Sequence, residues 1–210
     1  MKPLHRLKTA FTSVVLAATQ FAAAEASATV INFEDVANGT FLSQDASLIS
    51  QGYRVTESGP SFALIAGPSS TSFSGNGTNR LVAFNQSAIT VASLSNNAFD
   101  LFNFAGGESW INQPHLWATQ IRAVGVYTGG GSTTQIFNLD LIKNPLTGMQ
   151  TFALNDTFRQ LKSVTFSGVG GNPEFSLDNI SISAVPEPAS IALLLLGVAG
   201  IAASRRKAVK

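Results

Sequence analysis

The chain has 210 residues, of which 45% are hydrophobic and only 12% charged, with two tryptophans, fifteen phenylalanines and no cysteine. Its formal net charge of +1 is set by the two ends, because residues 29–185 hold six basic and ten acidic side chains, a net of −4. Without cysteine there is no disulfide and no thiolate metal site, and without a basic face the central region has nothing to hold a nucleic-acid backbone.

Residues 1–28 open with Lys2, Arg6 and Lys8, continue from Thr9 to Ala24 through an apolar or small run interrupted only by Gln20, and end in Ala26-Ser27-Ala28. A basic start, an apolar middle and an A-x-A site read as a secretory signal peptide cut after Ala28, with Ala24-Glu25-Ala26 offering a second site. The 157 residues that follow, 29–185, suit one domain large enough to bury a core by packing alone.

Within that region, short apolar runs rich in β-branched and aromatic residues alternate with Gly, Asn, Ser and Pro, and hardly any stretch keeps a helical period. Strands are predicted over 30–33, 53–57, 62–66, 81–84, 89–93, 99–104, 120–127, 133–141, 150–153, 161–167 and 175–183. Turn signals such as Asn38-Gly39, Gly75-Asn76-Gly77 and Gly170-Gly171-Asn172-Pro173 separate them. The alternation is cleanest at 161–166 and 175–182, where Asn179 shifts the phase by one and predicts a bulge or an edge near Asp178. Eight to eleven strands in this length predict an all-β domain over 29–184, a two-sheet antiparallel sandwich of the jelly-roll kind, with solvated loops over 67–79 and 105–118.

Residues 185–210 have three parts. Pro186-Glu187-Pro188 forms a stiff spacer, the stretch 189–204 is free of charge, and Arg205-Arg206-Lys207 closes it. As a helix its apolar residues 189–203 reach about 22 Å, short of the roughly 30 Å hydrocarbon core, so the stretch predicts a marginal membrane span with the basic cluster on the cytoplasmic side. In all three parts, and in their order, this tail resembles the PEP-CTERM sorting signal of Gram-negative bacteria. The resemblance implies an exosortase, a membrane-embedded cysteine protease, as a partner. It also implies an anchor in the inner membrane before processing, a cut near Pro186-Glu187-Pro188, and delivery to the cell surface or an extracellular matrix of exopolysaccharide.

The predicted first strand runs into Asn32-Phe33-Glu34-Asp35 and the last into Phe175-Ser176-Leu177-Asp178-Asn179-Ile180, so pairing of the two would bring carboxylates together. Close carboxylates need a proton or a cation between them, and Ca²⁺ takes oxygen ligands without cysteine or histidine. The arrangement resembles the galactose-binding-like jelly rolls of carbohydrate-binding modules. That resemblance implies a structural Ca²⁺ held by Glu34 and Asp178, with Asp35 a substitute for Glu34. The same opening and ending also resemble ectodomains that precede PEP-CTERM tails.

One loop concentrates recognition chemistry: Glu108, Trp110, Asn112, His115 and Trp117 lie within ten residues, and His115 is the only histidine after residue 28. Flat rings stack on sugar faces while Asn and Glu bond hydroxyls, so the loop is a candidate glycan site; large aromatics more often bury their area, and the same tryptophans would then plug one end of the sandwich. Catalysis has little to stand on. There is no Gly-x-Ser-x-Gly elbow, a triad would depend on His115 alone, and a carboxylate pair chosen from Asp100, Glu108 and Asp140 is one choice among many. The expectation is a non-enzymatic exported protein with a structural or adhesive role in exopolysaccharide. The alternative is a carbohydrate-binding module, and a hydrolase comes third.

Overall fold

The computed structural model describes residues 28–185 together with Gly197, and residues 27–185 form a compact unit of their own. Thirteen strands build it: β1 Ala28–Ile31, β2 Phe41–Ser43, β3 Ser47–Ser50, β4 Tyr53–Glu57, β5 Phe62–Ala66, β6 Arg80–Phe84, β7 Ala88–Ser93, β8 Phe99–Glu108, β9 Gln120–Tyr127, β10 Ser132–Asn138, β11 Met149–Ala153, β12 Leu161–Val169 and β13 Phe175–Ala184. One 3-10 turn, Pro114–Leu116, interrupts them. Among the described residues no helix is long and apolar enough to cross a membrane. The predicted signal peptide short of Ala28 and the span at 189–204, Gly197 apart, lie outside the described residues.

Every pairing between the strands is antiparallel, and they form two sheets in the orders β3-β4-β7-β12-β9-β10 and β2-β5-β6-β13-β8-β11. Strand β1 lies along the C-terminal half of β13, where β6 has already diverged. The two sheets touch in register only at Leu161 opposite Phe99. Their inner faces interdigitate: Val55, Ile89, Val91, Val164 and Phe166 from the first meet Ile65, Leu81, Phe104, Leu177 and Ile182 from the second, all fully buried. Alternation along each strand is what puts these residues on one side, and at about 25 cal/mol per Å² of apolar surface the shared core carries most of the stability in a chain without disulfides.

The outer face of the second sheet is covered as well, which explains why all five residues of β6 are buried. Phe62 on β5 and Phe84 on β6 stack with ring centroids 4.7 Å apart, and Phe73 and Trp110 close over Phe84 at 5.6 and 5.8 Å. A single bridge between Phe73 and Trp110 joins the two covering segments. The stretch 67–79, expected to be a solvated connection, is therefore a lid on the sheet. The other expected loop is corrected too, since β8 continues to Glu108. Gly106 and Gly107 make that continuation possible, because a Cβ on Gly106 would meet Ile121 Cδ1 at 2.7 Å and one on Gly107 would meet the Gly148 carbonyl at 2.6 Å. The phase shift at Asn179 appears as a register break between Asp178 and Ser181 against β8, with Asn179 at φ 47°.

The outer face of the first sheet is uncovered. Thr56, Thr90, Thr165, Val124 and Thr134 run across it in one row over five strands.

Candidate functional site

Strand β1 meets β13 with Ile31 opposite Ile180, so the chain leaving β1 enters the space beside Asp178. Phe33, at φ 57°, turns the backbone there and sends Glu34 and Asp35 in different directions. Glu34 Oε1 accepts from the Asn79 N–H at 2.7 Å, which ties the end of β1 to the end of the lid 67–79. Asp35 turns toward the first sheet, where its carboxylate accepts from the Ser50 hydroxyl at 2.6 Å and the Gln51 N–H at 2.8 Å. Its modest burial pushes its pKa up, but those two hydrogen bonds and its own N–H leave it below the usual aspartate value. The structure thus leaves Glu34 near enough to Asp178 for its charge to be felt there and gives Asp35 a separate partner.

Asp178 is fully buried. Its Oδ2 accepts from Asn76 Nδ2 at 2.8 Å and from the Thr78 hydroxyl at 2.9 Å, and its Oδ1 is buried without a partner. Burial pushes its pKa up to about 6; the charge of Glu34 adds to the rise, while Asn76, the Asn179 N–H and Thr78 oppose it. One step past the pairing of Leu81 with Leu177, Arg80 and Asp178 stand side by side beneath the lid. The Arg80 guanidinium is itself fully buried and donates to the carbonyls of Gly67, Ser70, Phe73 and Thr78 at 3.0–3.4 Å. Burial lowers its pKa, and the neighbouring Asp178 restores part of that loss.

The chemistry of this corner fits a hard cation. A buried carboxylate oxygen without a donor, beside a second carboxylate, is an oxygen site of the kind Ca²⁺ takes. Among the described residues no three His, Cys, Asp or Glu side chains gather, so the protein would offer Glu34 and Asp178, and carbonyl and water oxygens would complete the shell. Asn76, Thr78 and Arg80 belong to this corner and were not singled out in the sequence; their separation from Asp178 by about a hundred residues hides them, and only the closing of the lid reveals them.

The Trp110–Trp117 loop is distributed differently from its sequence. Trp110 is half-buried, 4.5 Å from the Phe73 ring, and Trp117 donates its indole N–H to the Trp110 carbonyl. Asn112 and His115 are exposed. Glu108 is fully buried; its Oε1 accepts from the Leu141 N–H at 2.6 Å, so it anchors the β10–β11 connection and shares no surface with Asn112 or His115. Burial raises the Glu108 pKa, its own N–H and that of Leu141 lower it, and Asp140 raises it further.

Glu174, which belongs to none of the motifs read from sequence, fastens this loop. Its backbone pairs with Leu116 and Ala118, and its carboxylate accepts from the Ser109 hydroxyl at 3.1 Å and the Asn85 N–H at 3.3 Å. Burial raises its pKa, against the pull of Ser109, Asn85, Trp110 and His115.

In sequence, residues 184–207 match the PEP-CTERM protein-sorting motif, so the chain carries the sorting signal that Pro186, Glu187, Pro188, Arg205, Arg206 and Lys207 indicated. No curated protein matches the chain. Among solved structures, a carbohydrate binding module of family 29 is similar over 76% of this chain and 89% of its own, at 13% identity and a TM-score of 0.43. The K2 cleaved adhesin domain of Lys-gingipain is similar over 76% and 99%, at 11% identity and a TM-score of 0.42. An F5/8 type C domain of a Bacteroides fragilis protein is similar over 52% and 75%, at 8% identity and a TM-score of 0.39.

Proposed function

We propose that this chain is an exported, non-catalytic surface protein, held in the inner membrane by residues 185–210 until an exosortase acts near Pro186-Glu187-Pro188. The β-sandwich is then delivered to the cell surface or to an extracellular matrix of exopolysaccharide, where it has a structural or adhesive role. The match of residues 184–207 to the sorting motif carries this reading. Two of the four buried acids have a structural use that suits this role, Glu108 fastening Leu141 and Glu174 fastening Ser109 and Asn85. A Ca²⁺ held by Glu34 and Asp178 would stabilise the corner where β1, β13 and the lid meet, a role in folding rather than in reaction.

Processing tests it. In a host with an active exosortase, the mature protein should end close to Pro188 by mass spectrometry. Deleting the exosortase, or replacing Arg205, Arg206 and Lys207 by serine, should leave the full-length form in the membrane fraction. Normal processing in both cases would refute the proposal. Carbohydrate binding is a second reading; the exposed Asn112 and His115 beside Trp110 favour it on the loop predicted from sequence, and polysaccharide retention lost in Trp110→Ala would support that location.

A further inference from the structure

The uncovered outer face of the first sheet ends in an open groove of about 600 Å³, within the size range of small-ligand sites. Its wall runs from Ser58 and Gln86 to Arg122, Ser167, Gly170 and Gly171. Arg122 is the only charged residue in that wall. Its Nε and Nη2 both point to one acceptor, the Ser167 hydroxyl, at 3.3 and 3.2 Å. Among the described residues Arg122 has no carboxylate partner; the ion pairs there are those of Arg159 with Asp100 and Asp156. A guanidinium presents its donors as a flat fork suited to a carboxylate, and here a neutral hydroxyl occupies the fork at long distance.

The rest of the groove mixes polar and small apolar groups and is free of aromatic rings. From Ser58 a line of hydroxyls continues over the sheet: Ser58 to Thr90 at 2.9 Å, then Thr90 to Thr165 at 2.9 Å. Backbone closeness rather than side chains shapes the floor. A Cβ on Gly59 would lie 2.6 Å from the Ala88 nitrogen, and one on Gly168 would collide with the Pro173 carbonyl. Gln86 at φ 69° and Gly170 at φ 104° hold the left-handed backbone that opens the two rims.

We infer that this groove binds the uronate residues of an acidic polysaccharide, with Arg122 pairing the sugar carboxylate and the Ser58–Thr90–Thr165 hydroxyls bonding the ring hydroxyls of the sugars that follow. The inference rests on the exopolysaccharide role proposed above, names the class of sugar, and centres its binding on Arg122 and the hydroxyls of the first sheet rather than on Trp110 or Trp117. Recognition without stacking rings depends on charge, so it weakens as salt screens the guanidinium.

Calorimetric titration of the full chain in detergent, with oligogalacturonate as the acidic probe and dextran as the neutral one, tests it. The expected result is binding of oligogalacturonate and not dextran, weakened by 0.5 M salt relative to ~0.05 M. Arg122→Ala should reduce that affinity by about tenfold or more, the loss of a charge-assisted pair, and Arg122→Lys should restore part of it. Arg122 is exposed, so the Arg122→Ala melting temperature should match the parent and certify the fold. Equal affinity of parent and Arg122→Ala, or equal binding of dextran, overturns the groove and leaves the surface-protein reading intact. Normal binding with failed exosortase processing does the reverse.

Discussion

Arg80→Met removes the residue that holds the lid 67–79 on the second sheet. The guanidinium serves four carbonyls, of which Gly67 O keeps a second donor, the Ser70 N–H, and Thr78 O and Ser70 O are near enough to the surface to be hydrated. The Phe73 carbonyl is left buried without a donor. An orphaned buried group costs about 1–3 kcal/mol, and losing the charged bonds to the lid adds to it; removing a buried charge whose Nε already lacks a partner gives some of that back. The net expectation is a loss of about 2–4 kcal/mol, or roughly 4–16 °C in melting temperature for a domain of this size. Thermal unfolding reads the stability, and limited proteolysis reads the lid, with new cuts expected within 67–79 in the variant. A melting temperature within about 2 °C of the parent, with the lid uncut, would refute the claim that Arg80 organises this face.

Asp178 gives the fold a pH dependence of defined sign. Its folded pKa of about 6 lies above the roughly 3.9 of an unfolded aspartate, so its own contribution to stability is fullest below about pH 4 and falls by about 3 kcal/mol as pH rises through 6. In EDTA, Asp178→Asn should therefore gain on the parent by roughly 6–12 °C between pH 4 and pH 8; an offset independent of pH would sink the assignment. Ca²⁺ should reverse the balance at pH 8, raising the melting temperature of the parent and of neither Asp178→Asn nor Glu34→Gln, while Asp35→Asn keeps the response. A parent melting curve indifferent to both EDTA and Ca²⁺ at that pH removes the ion from this corner.

The two-sheet architecture was legible because period-two alternation and turn residues are local signals. It was clearest at β12 and β13, the strands that pair on both sides and so bury one face most strictly. Even the break at Asn179 showed as a change of phase. What stayed hidden depends on distant partners. Strands β2 and β3 are three and four residues long and read as loop, since only pairing with β5 and β4 defines them. Gly106 and Gly107 fell in the expected loop 105–118, although they are strand residues squeezed between neighbours. The approach of the Glu34 segment to β13 could be anticipated from the pairing of the first and last strands. The departure of Asp35 to Ser50, fifteen residues on, could not, because a single left-handed residue, Phe33, decides it.

Charge shows the same division between composition and surface. A net of −4 over residues 29–185 argues for repulsion of an acidic polymer. Folding buries Glu57, Glu108, Glu174 and Asp178, and with them Arg80, so six acidic and five basic side chains remain in contact with solvent. Burial raises the pKa of Glu108, Glu174 and Asp178, which favours their neutral forms still more. The field at the surface is then set by where the remaining charges stand rather than by their sum. Arg122, alone in a groove without an acid, is where that local field favours an anion, and a composition count averages it away.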